Sequence, residues 1–199
     1  DDGTISDDKD SYFPLPQQNS ILCGLPLVGI AAGLRHLVVW TAHGTAYAWG
    51  CNESGQCGRE YPRELKTPVP IGVPKSSLTP YPVDNKDSSI SFSPLLNNWN
   101  VWASGEPISL ASDVHIVDAA CGRDHTILVT ESGRLLVCGS NKSGQLGLPL
   151  ITSKIESVEH PNGEKFQSAQ AGARHTVLLD ENGIVWQMGN GDSIIRNVP

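Results

Sequence analysis

Three stretches of this chain repeat one alternation: an apolar run, a polar turn and a second apolar run. His36 to Thr41, His125 to Thr130 and His175 to Asp180 are β-branched or apolar runs of the length of a buried strand. Each is followed by a turn carrying His43-Gly44, Ser132-Gly133 or Asn182-Gly183. Glycine there takes φ > 0 freely, so the pattern predicts a tight hairpin at each place. The second run then ends at Trp49-Gly50, Cys138-Gly139 or Met188-Gly189. The fold class predicted is all-β, built from repeated hairpins.

The copies align without a gap. In each, a first glycine (Gly33, Gly122, Gly172) precedes the histidine (His36, His125, His175) by three positions. The turn glycine (Gly44, Gly133, Gly183) lies eleven positions after the first, and the closing glycine (Gly50, Gly139, Gly189) seventeen. Such registry across three copies marks an internal repeat. After the second run, the first two copies continue with a shared Gly-x-Asn-x-x-Gly-Gln-x-Gly at 50–58 and 139–147. Its Asn and Gly favour left-handed turns, and the Gln amide can donate and accept hydrogen bonds to nearby backbone. No Lys-Ser/Thr pair and no following helix accompany these glycines, which argues against a phosphate cradle. Asn52-Glu53-Ser54 and Asn141-Lys142-Ser143 match the glycosylation sequon, but both fall inside this motif and are read as coincidence.

The combined pattern, Ala/Cys-Gly-x-x-His, a turn Gly, then Trp/Cys-Gly-x-Asn-x-x-Gly-Gln-x-Gly, resembles the repeat of the regulator-of-chromosome-condensation family. That resemblance covers roughly residues 28–61 and 114–191. It implies a β-propeller, normally of seven blades with a period near 50 residues. Gly122 and Gly172 stand 50 positions apart, one such period, whereas Gly33 and Gly122 stand 89 apart. The organisation expected is an acidic, irregular N-terminal segment (1–27), a first blade (28–61), an insertion (62–113), a second blade (114–150) and a truncated third (151–199). The insertion is rich in Pro, Ser and Asn, a poor composition for sheet interior. It reads as a long, partly extended loop anchored by Trp99 and Trp102. The third copy lacks the Gln-x-Gly ending. A propeller closes with about 4–8 blades, so about three imply an incomplete ring, completed by further blades of the same or another chain. A monodisperse, monomeric, cooperatively unfolding 21 kDa species in ultracentrifugation would count against that expectation.

Composition narrows the function. The chain is 39% apolar and 18% charged, too apolar for an unstructured tail. Its 14 basic and 21 acidic side chains leave a net charge of −7, which opposes direct DNA binding. No run approaches the roughly 18 or more apolar residues of a membrane helix, and no leader peptide is visible. Asp1, Asp2, Asp7, Asp8 and Asp10 read as a solvated acidic tail. Five cysteines (Cys23, Cys51, Cys57, Cys121, Cys138) contain no Cys-x-x-Cys pair, which suits reduced, partly buried thiols of an intracellular protein, cytoplasmic or nuclear, and not a zinc site.

No catalytic triad, Cys-His pair or paired carboxylates can be assembled from the sequence, so no catalytic residue, metal or cofactor is expected. The family resemblance implies that His36, His125 and His175 are structural, each packing and hydrogen-bonding within its own blade. His43, His115 and His160 sit in a turn, before a strand and in a loop, without ligand spacing. The variable positions between Gly and His are the candidates for partner binding: Arg35, Arg123, Asp124 and Arg174, with Leu34 and Ala173 beside them. In the family's Ran-exchanging member such residues face the GTPase. Only Asp124 is acidic at the matching place here, while Arg35 and Arg174 are basic. The reading is a protein–protein interaction scaffold, with guanine nucleotide exchange on a small GTPase, Ran-like or secretion-related, as the alternative. Ile30 to His36 resembles the secretion-regulating branch of exchange factors.

Overall fold

The computed structural model describes residues 18–60, 62–71, 114–148 and 152–190. Every regular element among them is a strand. These are β1 (Leu27–Ala32), β2 (His36–Thr41), β3 (Ala46–Cys51), β4 (Glu64–Ile71), β5 (Ile116–Cys121), β6 (His125–Thr130), β7 (Leu135–Gly139), β8 (Thr152–Val158), β9 (Phe166–Ala171), β10 (His175–Asp180) and β11 (Val185–Gly189). They form three antiparallel meanders in sequence order: β1-β2-β3-β4, β5-β6-β7-β8 and β9-β10-β11. Each is one blade, and the ring they begin is not closed.

The expected hairpins are the middle of each blade, β2–β3, β6–β7 and β10–β11. Their loops hold four residues, and a backbone bond from the last residue of the first strand crosses each, as in Thr41 N–H to Thr45 C=O at 3.0 Å. The glycine ends a tight turn: Gly44 N–H reaches Thr41 C=O at 2.9 Å, and Gly44, Gly133 and Gly183 have φ of 78°, 84° and 80°. The residue before each loop fastens it with its side chain. Thr41 Oγ1 accepts from Thr45 N at 3.2 Å, Thr130 Oγ1 from Arg134 N at 3.1 Å, and Asp180 Oδ1 from Ile184 N at 2.8 Å.

Two expected boundaries move. Residues 64–71, placed in the insertion, form β4, the outer strand of the first blade. Residues 152–158, placed in the third blade, form β8, the outer strand of the second. The rest of the insertion, with Trp99 and Trp102, lies outside the described residues, as does the acidic tail.

The blades stack face to face: β5 packs on β1 and β2, and β9 on β5 and β6. Between the first two sits a core of Val38, Trp40, Ala48, Cys57 and Leu65 against Ala119, Leu128, Leu136 and Cys138. Between the second and third, Ile127, Val129, Leu135 and Val137 meet Phe166, Ala169 and Leu178. The second blade is therefore covered on both faces, and every residue of β6 and β7 is buried. Burying one such aliphatic side chain stabilises by about 1.5–3 kcal/mol.

Candidate functional site

The loops joining the first and second strands of the three blades (33–35, 122–124 and 172–174) reach one end of the array together. Residues 32–34, 121–123 and 171–173 line an open concavity of ≈ 410 Å³ there. Leu34 and Arg123 are on its wall, and Arg35, Asp124 and Arg174 occupy the next position in each loop. Their main chains are locked: the carbonyls of Arg35, Asp124 and Arg174 accept from Cys51, Ser140 and Asn190 N–H at 2.6, 2.8 and 3.1 Å. The side chains are less constrained. Arg35 pairs with Glu53 at 3.1 Å with both partners exposed, and that hydrogen bond raises the guanidinium pKa further. Arg123 Nε lies 3.2 Å from Asp124 Oδ2. The three loops thus hold a fixed main chain that carries side-chain charges of both signs.

The repeat histidines do something other than expected. Their main chains do stay within the blade, with Gly33, Gly122 and Gly172 N–H donating to the carbonyls of His36, His125 and His175. The rings cross to the neighbour. His36 Nε2 lies 2.9 Å from Thr126 Oγ1 of the second blade, and His125 Nε2 lies 3.1 Å from Thr176 Oγ1 of the third. His36 and His125 each begin a middle strand with the ring packed over the first glycine of the same blade, Gly33 or Gly122, and with Nε2 turned to the next blade.

The threonine hydroxyls fix the proton positions. Thr126 Oγ1 donates to Gln56 C=O at 2.7 Å and Thr176 Oγ1 to Gln145 C=O at 2.8 Å. Having spent its proton, each hydroxyl can only accept from the ring, so Nε2 carries the hydrogen. Burial holds both imidazoles neutral, His36 and His125 falling from 6.5 to about 4. Each junction is thus a chain of two hydrogen bonds, histidine to threonine to the carbonyl of the preceding blade's Gln. The Gly-Gln loop is shaped to deliver that carbonyl: Gln56 Oε1 and Gln145 Oε1 accept from Ser54 and Ser143 N–H at 2.9 and 2.8 Å. Asn52 and Asn141 are buried with their amides on Arg59, Pro62 and Leu148 carbonyls, so neither sequon asparagine is presented to solvent.

A second bond recurs at each junction. Ile116 N–H donates to Gly44 C=O at 2.9 Å, and Phe166 N–H to Gly133 C=O at 3.0 Å. The incoming inner strand is thereby hooked onto the previous hairpin turn. Four of the five cysteines are buried, and none is in a disulfide. Desolvation pushes the Cys57 and Cys121 thiols up to about 12, and Cys138 higher still, which leaves them protonated and inert.

Sequence spacing missed one cluster. His160, in the loop after β8, lies 3.4 Å from Asp180 Oδ2 and 3.7 Å from Glu164 Oε2, and stacks beside Phe166 and Trp186 at 4.7 Å. Three ligand atoms thus fall within 4.8 Å of one another. The tautomer opposes a metal: Asn162 and Glu164 N–H both point at His160 Nδ1, at 3.2 and 3.4 Å, so the proton sits on Nε2, where a cation would have to bind. Burial works to raise the Asp180 carboxyl, but hydrogen bonds from Trp186, Ile184, Asn182 and His160 bring it below its usual value. The cluster is a structural knot tying the loop to the third hairpin.

Comparison with known proteins gives this geometry a family. The regulator of chromosome condensation (RCC1) repeat is matched at 27–56 and 116–145, and again at 43–83 and 132–179, together more than half the chain. The chain belongs to the RCC1-repeat family. Among RCC1-repeat relatives, the ultraviolet-B receptor UVR8 of Arabidopsis thaliana is 26% identical over 220 residues, covering 96% of this chain and 50% of the receptor. The secretion-regulating guanine nucleotide exchange factor of Mus musculus is 30% identical over 190 residues, covering 92% of this chain and 32% of that protein. The chain thus spans half or less of these relatives. In fold it is similar to Prp20p from Saccharomyces cerevisiae, with a TM-score of 0.54 at 22% identity, over 84% of this chain and 34% of that one. That structure is described with binding to Gsp1p and histones. Among the described residues of this RCC1-repeat chain, no helix is long and apolar enough to cross a membrane.

Proposed function

We propose that this chain is part of a protein–protein interaction scaffold, an RCC1-type propeller completed by further blades, whose loop face meets a partner protein. The observation that carries this is the convergence of three equivalent loops on one open concavity, with rigid main chains and exposed charges of both signs. Arg35, Arg123, Asp124 and Arg174 are the contact residues in this reading. Buried, unpaired thiols support an intracellular setting, cytoplasmic or nuclear.

The second reading is guanine nucleotide exchange on a small GTPase, supported by likeness to the secretion-regulating exchange factor along most of this chain. Such a factor needs no reacting group. It holds the nucleotide-free GTPase more tightly than the loaded one and so weakens nucleotide affinity. Release of labelled GDP from a panel of small GTPases separates the two: acceleration supports exchange, and an unchanged rate supports the scaffold. Under the exchange reading Asp124→Lys abolishes the acceleration. Retained acceleration would move the contact surface away from this loop.

A further inference from the structure

The first loops of the three blades carry three arginines, Arg35, Arg123 and Arg174, against one aspartate, Asp124, in a chain whose net charge is −7. One residue of each loop, Leu34, Arg123 or Ala173, is on the wall of the open concavity of ≈ 410 Å³. Arg35 is spent on Glu53 at 3.1 Å. Arg123 is held differently. Asp124 Oδ2 accepts from its Nε at 3.2 Å, which uses one of the five guanidinium N–H groups. The two amino groups meet no acceptor among the described residues, and the side chain is 50% exposed. Arg174 has no ion pair among the described residues.

The main chain adds donors. The carbonyls of Arg35, Asp124 and Arg174 close the loops, but the N–H groups of Leu34, Arg123 and Ala173 donate to nothing among the described residues. An N–H without a protein partner is left to water or to a ligand. Glycine sets how near the loops come to one another. A Cβ at Gly33 would stand 2.5 Å from Gly122 C=O, and one at Gly122 the same 2.5 Å from Gly172 C=O. Neighbouring loops therefore touch main chain to main chain, and those two carbonyls are packed against the preceding blade. Ala32, Cys121 and Ala171 keep the wall beside them low. Leu34 alone offers a large apolar side chain there, and it is 62% exposed.

We propose that this concavity is a carboxylate-binding site, and that its occupant is an acidic segment of the partner protein with an apolar residue beside the acidic one. The carboxylate accepts from the two amino groups of Arg123, whose planar fork matches its two oxygens. The open loop N–H groups are the further donors, and Leu34 covers the neighbouring apolar side chain. Asp124 is a positioning residue in this site, since its hold on Nε fixes the guanidinium and leaves the amino groups open. This rests on the reading that the loop face meets a partner protein, and adds the chemistry that partner presents.

The test titrates the full, isotope-labelled chain with three probes: the peptide acetyl-Leu-Glu-Leu-Glu-Leu-amide, the same peptide with Gln for Glu, and inorganic phosphate. The amide resonances of Leu34, Arg123 and Ala173 are followed. The Glu peptide is expected to shift all three saturably, with the Gln peptide and phosphate at least about tenfold weaker. Arg123→Gln is expected to lose about tenfold or more of the Glu-peptide affinity, with resonances outside the loops unmoved to show that the variant folds. Arg134→Gln, on a hairpin turn at the other end of the second blade, leaves the affinity unchanged. Equal affinity for the Glu and Gln peptides, or full affinity in Arg123→Gln, would overturn the carboxylate assignment and keep the loop face as a peptide-binding surface. Phosphate bound as tightly as the Glu peptide would make this a site for any anion and sink the acidic segment. Shifts confined to residues away from the three loops would overturn this inference and the loop-face reading together. No shift with any probe would overturn this inference alone, because the scaffold reading does not require a short peptide to bind.

Discussion

Thr126 has more resting on it than any charged residue of the loop face. Its hydroxyl takes the proton of His36 and gives its own to Gln56 C=O. Thr126→Val keeps the shape and leaves two buried groups unpaired, so it should destabilise by about 2–5 kcal/mol in chemical denaturation. Arg35→Ala, which removes an exposed ion pair with Glu53, should cost less than about 1 kcal/mol in the same assay. The histidines also set a pH dependence. Unfolded, they take up protons below about 6.5, and folded only near 4. The unfolded state thus binds more protons between those values, and stability falls as pH drops from about 6.5 to about 4. Each ring contributes up to about 3 kcal/mol to that loss. His36→Gln should flatten part of the slope in melts taken across this window; an unchanged profile would mean the ring is not held neutral.

At the scale of elements, the hairpin glycines separate turn strain from junction strain. Gly133 and Gly183 share a positive φ, so alanine carries a left-handed penalty of roughly 1–2 kcal/mol at either place. At Gly133 the added methyl also meets Lys165, at the entry of the third blade. Gly133→Ala should therefore lower the melting temperature clearly more than Gly183→Ala, and equal losses would contradict the junction geometry. The hairpins themselves were legible in the sequence because apolar run, turn glycine and apolar run sit at fixed spacing. The outer strand β4 was not, because Pro68 and Pro70 disguise an alternation of Leu65, Thr67, Val69 and Ile71. The two prolines are two positions apart, so both lack an N–H on the same side. Pro70 C=O accepts from the Arg59 side chain at 3.4 Å, and an outer strand tolerates proline where the missing N–H faces the sheet's open edge. The threonine latch was equally hidden. His-Thr recurs in only two of three copies, and the bonded partners lie 90 and 51 positions apart. The Arg and Asp loop positions could be named from the repeat alone, but the meeting of their three loops at one concavity, with Arg123 on its wall, required the stacking of blades.

For the whole molecule, the account is of blades docked in series, each unable to bury its faces alone. The second blade has neighbours on both sides, whereas β1 exposes Val28 and Ile30, and β11 exposes Val185. Leu128, facing the first blade, and Ile127, facing the third, are equally buried in separate cores. Leu128→Ala and Ile127→Ala should each cost about 2–5 kcal/mol, read by denaturation. Local stability in such an array follows the number of docked faces, which native-state amide exchange reports strand by strand. That measurement tests the central claim most directly. The account predicts the slowest exchange in β6 and β7, and the fastest among the strands in β1 and β11. Slowest exchange in β10 and β11, or uniform protection across the three sheets, would contradict it.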